Sequence, residues 1–447
     1  MQECDLIVSA AHLLPVAPEN IVLENHALAV QEGRIVAVGP QAEIQAAWRA
    51  TEQLDFAQHM VLPGLVNAHG HAAMTLLRGA GEDQPLEAWL QQTIWPLEGR
   101  LVNTDFVALG TELAIAEMVR TGTTTFSDMY FFPETAARVA VEMGVRIQTA
   151  FPVIEMPNAW SNSVEDGLTK GLALHDQYRH HPQVQVAFGP HSAYSVDPDN
   201  MQKVTMFANE LDAPVQIHLH ETAVEVRDAK AEFGHSWVVR LHELGVLAPH
   251  VQTVHMTQLG DAEMAALLDS GASVIHCPTS NLKLASGYCP ATELIANGVR
   301  VGLGTDGAAS NNNLDLFEDL HLASLLAKHE HADPTRGNAQ DMLYMATLGG
   351  AEAMSMGEAI GSLEVGKFAD FIAVNTDNLN MQPLYNPFAA LVHGNCGAAV
   401  EHVYVAGQAL LKDYALQRID RAALTSRVQQ WHQTATTAVS KRSKQEH

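Results

Sequence analysis

Several short segments of this chain carry residue types that can do chemistry. In Asn67-Ala68-His69-Gly70-His71 two histidines stand two residues apart. In an extended segment such residues project to one side, so both imidazoles can face a single ion. His218-Leu219-His220-Glu221 offers another imidazole with a carboxylate three residues on, and His255 and Thr305-Asp306-Gly307 follow later. His191 lies in GPHSAYS. Imidazoles with one carboxylate suit a divalent ion, Zn²⁺ first, with Fe²⁺ or Mn²⁺ as alternatives. An open position on such an ion holds water and lowers its pKa toward ~7. Glu221 is then placed to shuttle a proton, His255 to orient the water, and Asp306 to ligate the ion and accept the water's proton. Strict alternation would put His220 beside His218. We read His220 as a packing residue, because strand geometry often breaks at a strand end.

A single histidine near a strand end is usually incidental. The weight comes from the elements that must position these residues together. Eight short apolar runs occur at 60–66, 123–127, 145–151, 184–189, 215–219, 251–255, 273–276 and 299–304. Helix-like stretches lie between them, such as Thr104–Arg120, Pro198–Leu211 and Asp261–Ser270. Eight β/α alternations predict an α/β chain with a (β/α)8 TIM-like barrel, whose catalytic residues gather at the carboxyl ends of the strands. The histidines and Asp306 occupy that position on strands one, five, six and eight. Strand texture also marks both chain ends, in DLIVSAAHLLPV and HALAVQEGRIVAVG, then in SLEVGKFADFIAV and EHVYVAGQALL. The expected organisation is a small β-sandwich begun by 1–58, a metal-dependent barrel at 59–362, and 363–447 completing the sandwich. A C-terminal helix is expected from about 420, ending in the basic run KRSKQEH.

Composition sets the outer bounds. The chain has 447 residues, 47% hydrophobic, with 23 His against 25 Lys+Arg. Asp+Glu number 51, for a net charge of −26, which repels phosphate backbones and anionic lipid and so predicts no nucleic-acid or membrane partner. Cys4, Cys277, Cys289 and Cys396 show no CxxC spacing, which disfavours a disulfide framework or thiolate zinc site. The start MQECDLIVSA lacks a signal-peptide pattern, and no run of 18 apolar residues occurs. A cytoplasmic enzyme is the expectation.

PGLVNAHGHAAMTLLRG, HLHETAVEV, HCPTSNLKLASG, VGLGTDGAASNNN and GSLEVGKFADFIAV together resemble the amidohydrolase superfamily. The branch is similar to the cytosine-deaminase/chlorohydrolase type and, within it, to the 5′-methylthioadenosine/S-adenosylhomocysteine deaminases. The resemblance spans nearly the whole chain. It implies metal ligands His69, His71, His218 and Asp306, an acid/base Glu221, and His255 beside the attacking water. It further implies that Glu98, in IWPLEGRL, binds the ribose and that His191 helps hold the nucleoside. Members that take S-adenosylhomocysteine use an arginine after strand three. PVIEMPNAWSNS has none, so methylthioadenosine or adenosine is implied more firmly. Binuclear relatives place a lysine on strand four; VQVAFGPH has none, which implies one metal ion. The family's tendency implies a homo-oligomer, dimer or tetramer.

Other motifs carry less. Gly302 to Gly307 satisfies GxGxxG, but it comes late in the chain and holds an acidic residue. Gly361 to Lys367 satisfies GxxxxGK, but Phe368 stands where a Ser or Thr would bind Mg²⁺. No HExxH or PCxxC occurs. Met129–Phe132 and Met342, Met345, Met354 and Met356 read as core or pocket lining. The expected reaction is hydrolytic deamination of a 6-aminopurine nucleoside. Guanine, 8-oxoguanine or s-triazine chemistry is the alternative within enzymes, and a non-catalytic scaffold the alternative outside them.

Overall fold

A computed structural model describes residues 1–18, 21–394 and 396–443. Four strands open the chain: β1 (Gln2–Leu13), β2 (Leu23–Gln31), β3 (Arg34–Pro40) and β4 (Trp48–Pro63). The β2–β3 hairpin turns on Glu32 and Gly33, both with positive φ, 51° and 74°. Two such residues give the turn twist that flanking strands favour. The next eight strands are β5 (Leu65–Asn67), β6 (Thr123–Met129), β7 (Arg146–Val153), β8 (Val184–Pro190), β9 (Val215–Leu219), β10 (Val251–His255), β11 (Ser273–His276) and β12 (Val301–Leu303). They form one parallel sheet in chain order. Its ends meet, because Ala68 N donates to Leu303 O at 2.9 Å and Asp306 N to His69 O at 3.0 Å. The sheet is thus the expected barrel.

Strands β13 (Phe371–Asn375), β14 (Val400–Val405), β15 (Gln408–Lys412) and β16 (Ala415–Leu416) return to the first sheet, whose order is β16-β15-β14-β13-β4-β1-β2-β3. That sheet curls back on itself where Ile35 N donates to Lys367 O and Gly366 N to Ile35 O. Leu28, Val30, Ile35, Phe371 and Tyr404 are buried between its layers. The small β domain is therefore built from both chain ends. A helix, Arg421–Ser443, closes the description; the last residues of KRSKQEH, 444–447, lie outside the described residues.

Helices Thr104–Arg120, Pro198–Leu211 and Asp261–Ser270 have the limits read from sequence. One strand does not. The run 60–66 divides: Met60–Pro63 pairs with β13, and only Leu65–Asn67 enters the barrel. The break falls at Pro63-Gly64. Pro63 has no N–H to give a ladder, and a Cβ on Gly64 would lie 2.1 Å from the Thr124 side chain. The two sheets are tied by a buried ion pair, Arg146 Nη2 to Asp370 Oδ2 at 2.9 Å. Below the barrel mouth lies a buried polar layer, in which Gln216 Nε2 donates to Gln252 Oε1 at 2.7 Å and to Ser127 Oγ at 3.1 Å.

Candidate active site

The carboxyl ends of β5, β9, β10 and β12 bring five predicted residues to one point. His69, His71 and His218 offer nitrogens that lie within 4.8 Å of one another, and so do the ligand atoms of His69, His255 and Asp306. His218 Nε2 stands 3.2 Å from His69 Nε2. Asp306 Oδ1 stands 3.2 Å from His71 Nε2 and 3.5 Å from His69 Nε2. Bonds of about 2.0–2.1 Å in a tetrahedron give ligand separations of about 3.3–3.4 Å. These distances therefore fit a zinc-sized ion.

The outward nitrogens explain why the rings point this way. His71 Nδ1 donates to Met129 O at 2.6 Å and His218 Nδ1 to His191 O at 2.6 Å. A carbonyl can only accept, so both Nδ1 atoms carry the proton and both Nε2 lone pairs face inward. His69 Nδ1 donates to Gln216 Oε1 at 2.8 Å, and His255 Nδ1 to Asn281 Oδ1 at 2.9 Å. Partners of this kind fix tautomer and orientation in metal centres. Two lone pairs 3.2 Å apart, buried from water, repel unless a cation lies between them. Burial opposes charge on His71, yet the Asp306 carboxylate pushes its pKa up to about 9.

Asp306 is fixed in turn. Its Oδ2 accepts from Ser280 Oγ at 2.6 Å and Ser310 Oγ at 3.0 Å, and its Oδ1 accepts from Gly307 N at 2.7 Å. His255 and Asp306 hold positive φ, 77° and 63°, a conformation rare for residues with a side chain and concentrated at functional sites. Gly304 lets β12 close on β5 here, since a Cβ would lie 2.9 Å from His69 Cβ and 3.0 Å from its backbone N and O.

Glu221 lines the same cavity, with Oε2 3.8 Å from His255 Nε2. Burial, helped by the Asp306 charge, pushes its carboxyl up to about 8. Glu98 and His191 also line the cavity. Burial raises the Glu98 carboxyl and lowers His191 to about 4. His220 is directed elsewhere, as expected. Its φ is 51°, and the turned ring donates from Nδ1 to Gln258 O at 2.7 Å and accepts Val238 N at Nε2.

The amidohydrolase family model matches residues 60–410. The chain belongs to the amidohydrolase family. It is 45% identical over 429 residues to a 5-methylthioadenosine/S-adenosylhomocysteine deaminase of Saccharophagus degradans, covering 96% of each chain. A protein of the same name from Teredinibacter turnerae is 43% identical, over 96% of this chain and 97% of that one. An adenosine deaminase from Xanthomonas campestris, solved with bound zinc, superposes with a TM-score of 0.96 at 43% identity over 98% and 99% of the two chains.

In this amidohydrolase the sequence reading passed over the supporting residues. Gln216, Asn281, Ser280 and Ser310 act only through their hydrogen bonds to the histidines and Asp306, and Met129 acts through its carbonyl. Ser280 and Asn281 fall inside HCPTSNLKLASG, a segment that carries the resemblance but implies no role for either. Tyr130, within the aromatic stretch Met129–Phe132, lines the cavity, whereas Met342, Met345 and Met354 are core. A second group with ligand-like spacing, His59, Glu401 and His402, lies on the small β domain. No helix among the described residues is long and apolar enough to cross a membrane.

Proposed function

We propose that this amidohydrolase removes the 6-amino group of a purine nucleoside by hydrolysis, giving the inosine analogue and ammonia, with one divalent metal ion, Zn²⁺ first. One observation carries the reading: a single cavity is lined by the imidazoles of His71, His218 and His255, by Asp306, by Glu221 and by Glu98. The names of the relatives and the zinc of the 43% identical neighbour support it.

His69, His71, His218 and Asp306 would hold the ion. When bound, it supplies Lewis-acid activation of water near neutral pH. Glu221 gives its proton to the ring nitrogen beside C6, which weakens the aromatic ring to attack. His255 aligns the attacking water, and Asp306 receives a proton from it at a carboxylate oxygen. The proton taken up by Asp306 passes to the amino group, which leaves as ammonia as its bond to C6 breaks, and the new C6 hydroxyl returns a proton to Glu221 to give the 6-oxo product. Glu98 accepts hydrogen bonds from the sugar hydroxyls, and His191, kept neutral by burial, packs beside the nucleoside.

No Lys or Arg occurs among the described residues lining the cavity. This favours an uncharged 5′ group, as in methylthioadenosine or adenosine, over the homocysteine zwitterion. The reading assigns the chemistry to the barrel, read from sequence as 59–362 but with 59–63 paired into the β domain that 1–58 and 363–447 form, in a cytoplasmic homo-oligomer, dimer or tetramer. The compartment follows from the N-terminal sequence and the lack of a long apolar run, the assembly from resemblance, and light scattering tests the assembly.

The decisive experiment is Glu221→Gln in zinc-loaded protein, followed by ammonia release from methylthioadenosine, adenosine and S-adenosylhomocysteine. Turnover should fall by several orders of magnitude while bound zinc stays at one per chain. Near-normal turnover would remove Glu221 from the mechanism.

A further inference from the structure

Residues 86–101 wall one side of the cavity as two short helices, Leu86–Trp89 and Trp95–Leu101, joined by a π-turn at Leu90–Ile94. Leu86, Trp89, Leu90, Ile94 and Glu98 face the cavity. A π-turn is an uncommon element that recurs at functional sites. One hydrogen bond ties this segment to the barrel: Tyr130 Oη donates to Glu98 Oε1 at 2.6 Å. Its other side-chain bonds outward, Trp89 Nε1 to Ala80 O and Thr93 Oγ1 to Gln84 Oε1, both 3.3 Å, reach only the loop that leads into it.

Tyr130 is well placed for such a task. It is 6% exposed and directly follows β6, a strand buried along its whole length. The preceding carbonyl, on Met129, receives the His71 Nδ1 proton. Two consecutive residues on a rigid strand end therefore fix a metal-centre ring and the Glu98 carboxylate. Glu98 itself sits on a helix of 7 residues, with three side-chain torsions to settle.

We propose that Tyr130 is a positioning residue, which sets where the Glu98 carboxylate meets the vicinal hydroxyls of the ribose. The proposal rests on the nucleoside reading above. With Oε1 held by the phenol, Oε2 and the second lone pair of Oε1 remain for two neighbouring hydroxyls. The phenol also favours the charged form of a carboxyl that burial pushes upward. Binding of a diol is thus prepared before the substrate arrives.

The test compares adenosine with 2′,3′-dideoxyadenosine on zinc-loaded wild type, Tyr130→Phe, Glu98→Ala and the double variant. Tyr130→Phe should lower kcat/KM for adenosine by roughly 10- to 100-fold, chiefly through KM, as expected for a lost bond to a charged group. The dideoxy substrate should change by less than about twofold, since its sugar offers no diol. In the Glu98→Ala background, which leaves the phenol no acceptor, the Tyr130 effect should vanish. Equal losses on both substrates, or none on either, would overturn the proposal. If wild type releases ammonia from neither adenosine nor methylthioadenosine, the function reading fails first and this inference with it. If wild type is active and Tyr130→Phe retains the preference for adenosine, this inference alone is lost.

Discussion

The barrel mouth and the small β domain each bring histidines and a carboxylate within a similar reach. His59, Glu401 and His402 present atoms within 4.8 Å, as His69, His71 and His218 do. The difference lies on the far side of each ring. In the barrel every converging imidazole gives its outward proton to an acceptor: Gln216, Met129 O, His191 O or Asn281. On the β domain, His59 Nδ1 is buried with no partner, and His402 Nδ1 receives Asp413 N at 3.4 Å. There the proton of His402 sits on Nε2, toward the carboxylates, and His59 Nε2 donates to Glu401 Oε2 at 3.1 Å. One group has its lone pairs turned inward for a cation. The other turns its ring N–H groups toward its own carboxylate and leaves no inward lone pair for a cation. Ligand spacing alone does not tell them apart; the outer hydrogen bonds do.

The largest effect expected from this contrast follows metal removal. A chelator, or His71→Ala, should strip the bound ion and reduce ammonia release by several orders of magnitude, with zinc restoring activity in the wild type only. His59→Gln should leave metal content by elemental analysis, and turnover, unchanged. A fall in metal content there would break the comparison. An intermediate effect is expected one bond out from the centre. Asn281→Ala leaves the His255 proton without its acceptor and should cost about 10- to 100-fold in kcat, the usual price of losing such a partner. The smallest effect concerns acid. Burial lowers the His402 pKa, so the folded state binds its proton more weakly than the unfolded chain. The stability linked to neutral His402 is present above the ordinary histidine range and is lost as pH falls through it. His402→Gln should flatten the dependence of Tm on pH just below about 6.5, with little change at pH 8.

Much of this was legible in the residues. Strands β9, β10 and β11 have the limits of the apolar runs at 215–219, 251–255 and 273–276. Short buried parallel strands are continuous apolar runs, so their ends show in sequence. The ligand atoms of His69, His71, His218 and Asp306 meet because residues at strand ends must meet in a closed barrel. The division of 60–66 between two sheets was hidden, since an apolar run does not state which sheet it enters. The turn of His220 was anticipated only as a strand end, and its φ is a backbone fact that period-two reasoning lacks. Asn281 and Gln216 are farther in sequence from the histidines they hold than any local pattern reaches.

The seam of the barrel has a further consequence, for the order of events during folding. The hydrogen bonds that join the first strand to the last run from Ala68 to Leu303 and from Asp306 to His69, so backbone groups of two candidate ligands close the ring. Contacts across so long a stretch form late, because loop closure is costly. A nascent chain that has emerged only through β10 carries all four imidazoles but lacks Asp306 and Gly304. Capture of the ion at full strength must then wait for the last strand, and the completed centre in turn staples the two ends of the barrel together. Metal loading thereby reports that the circle has closed.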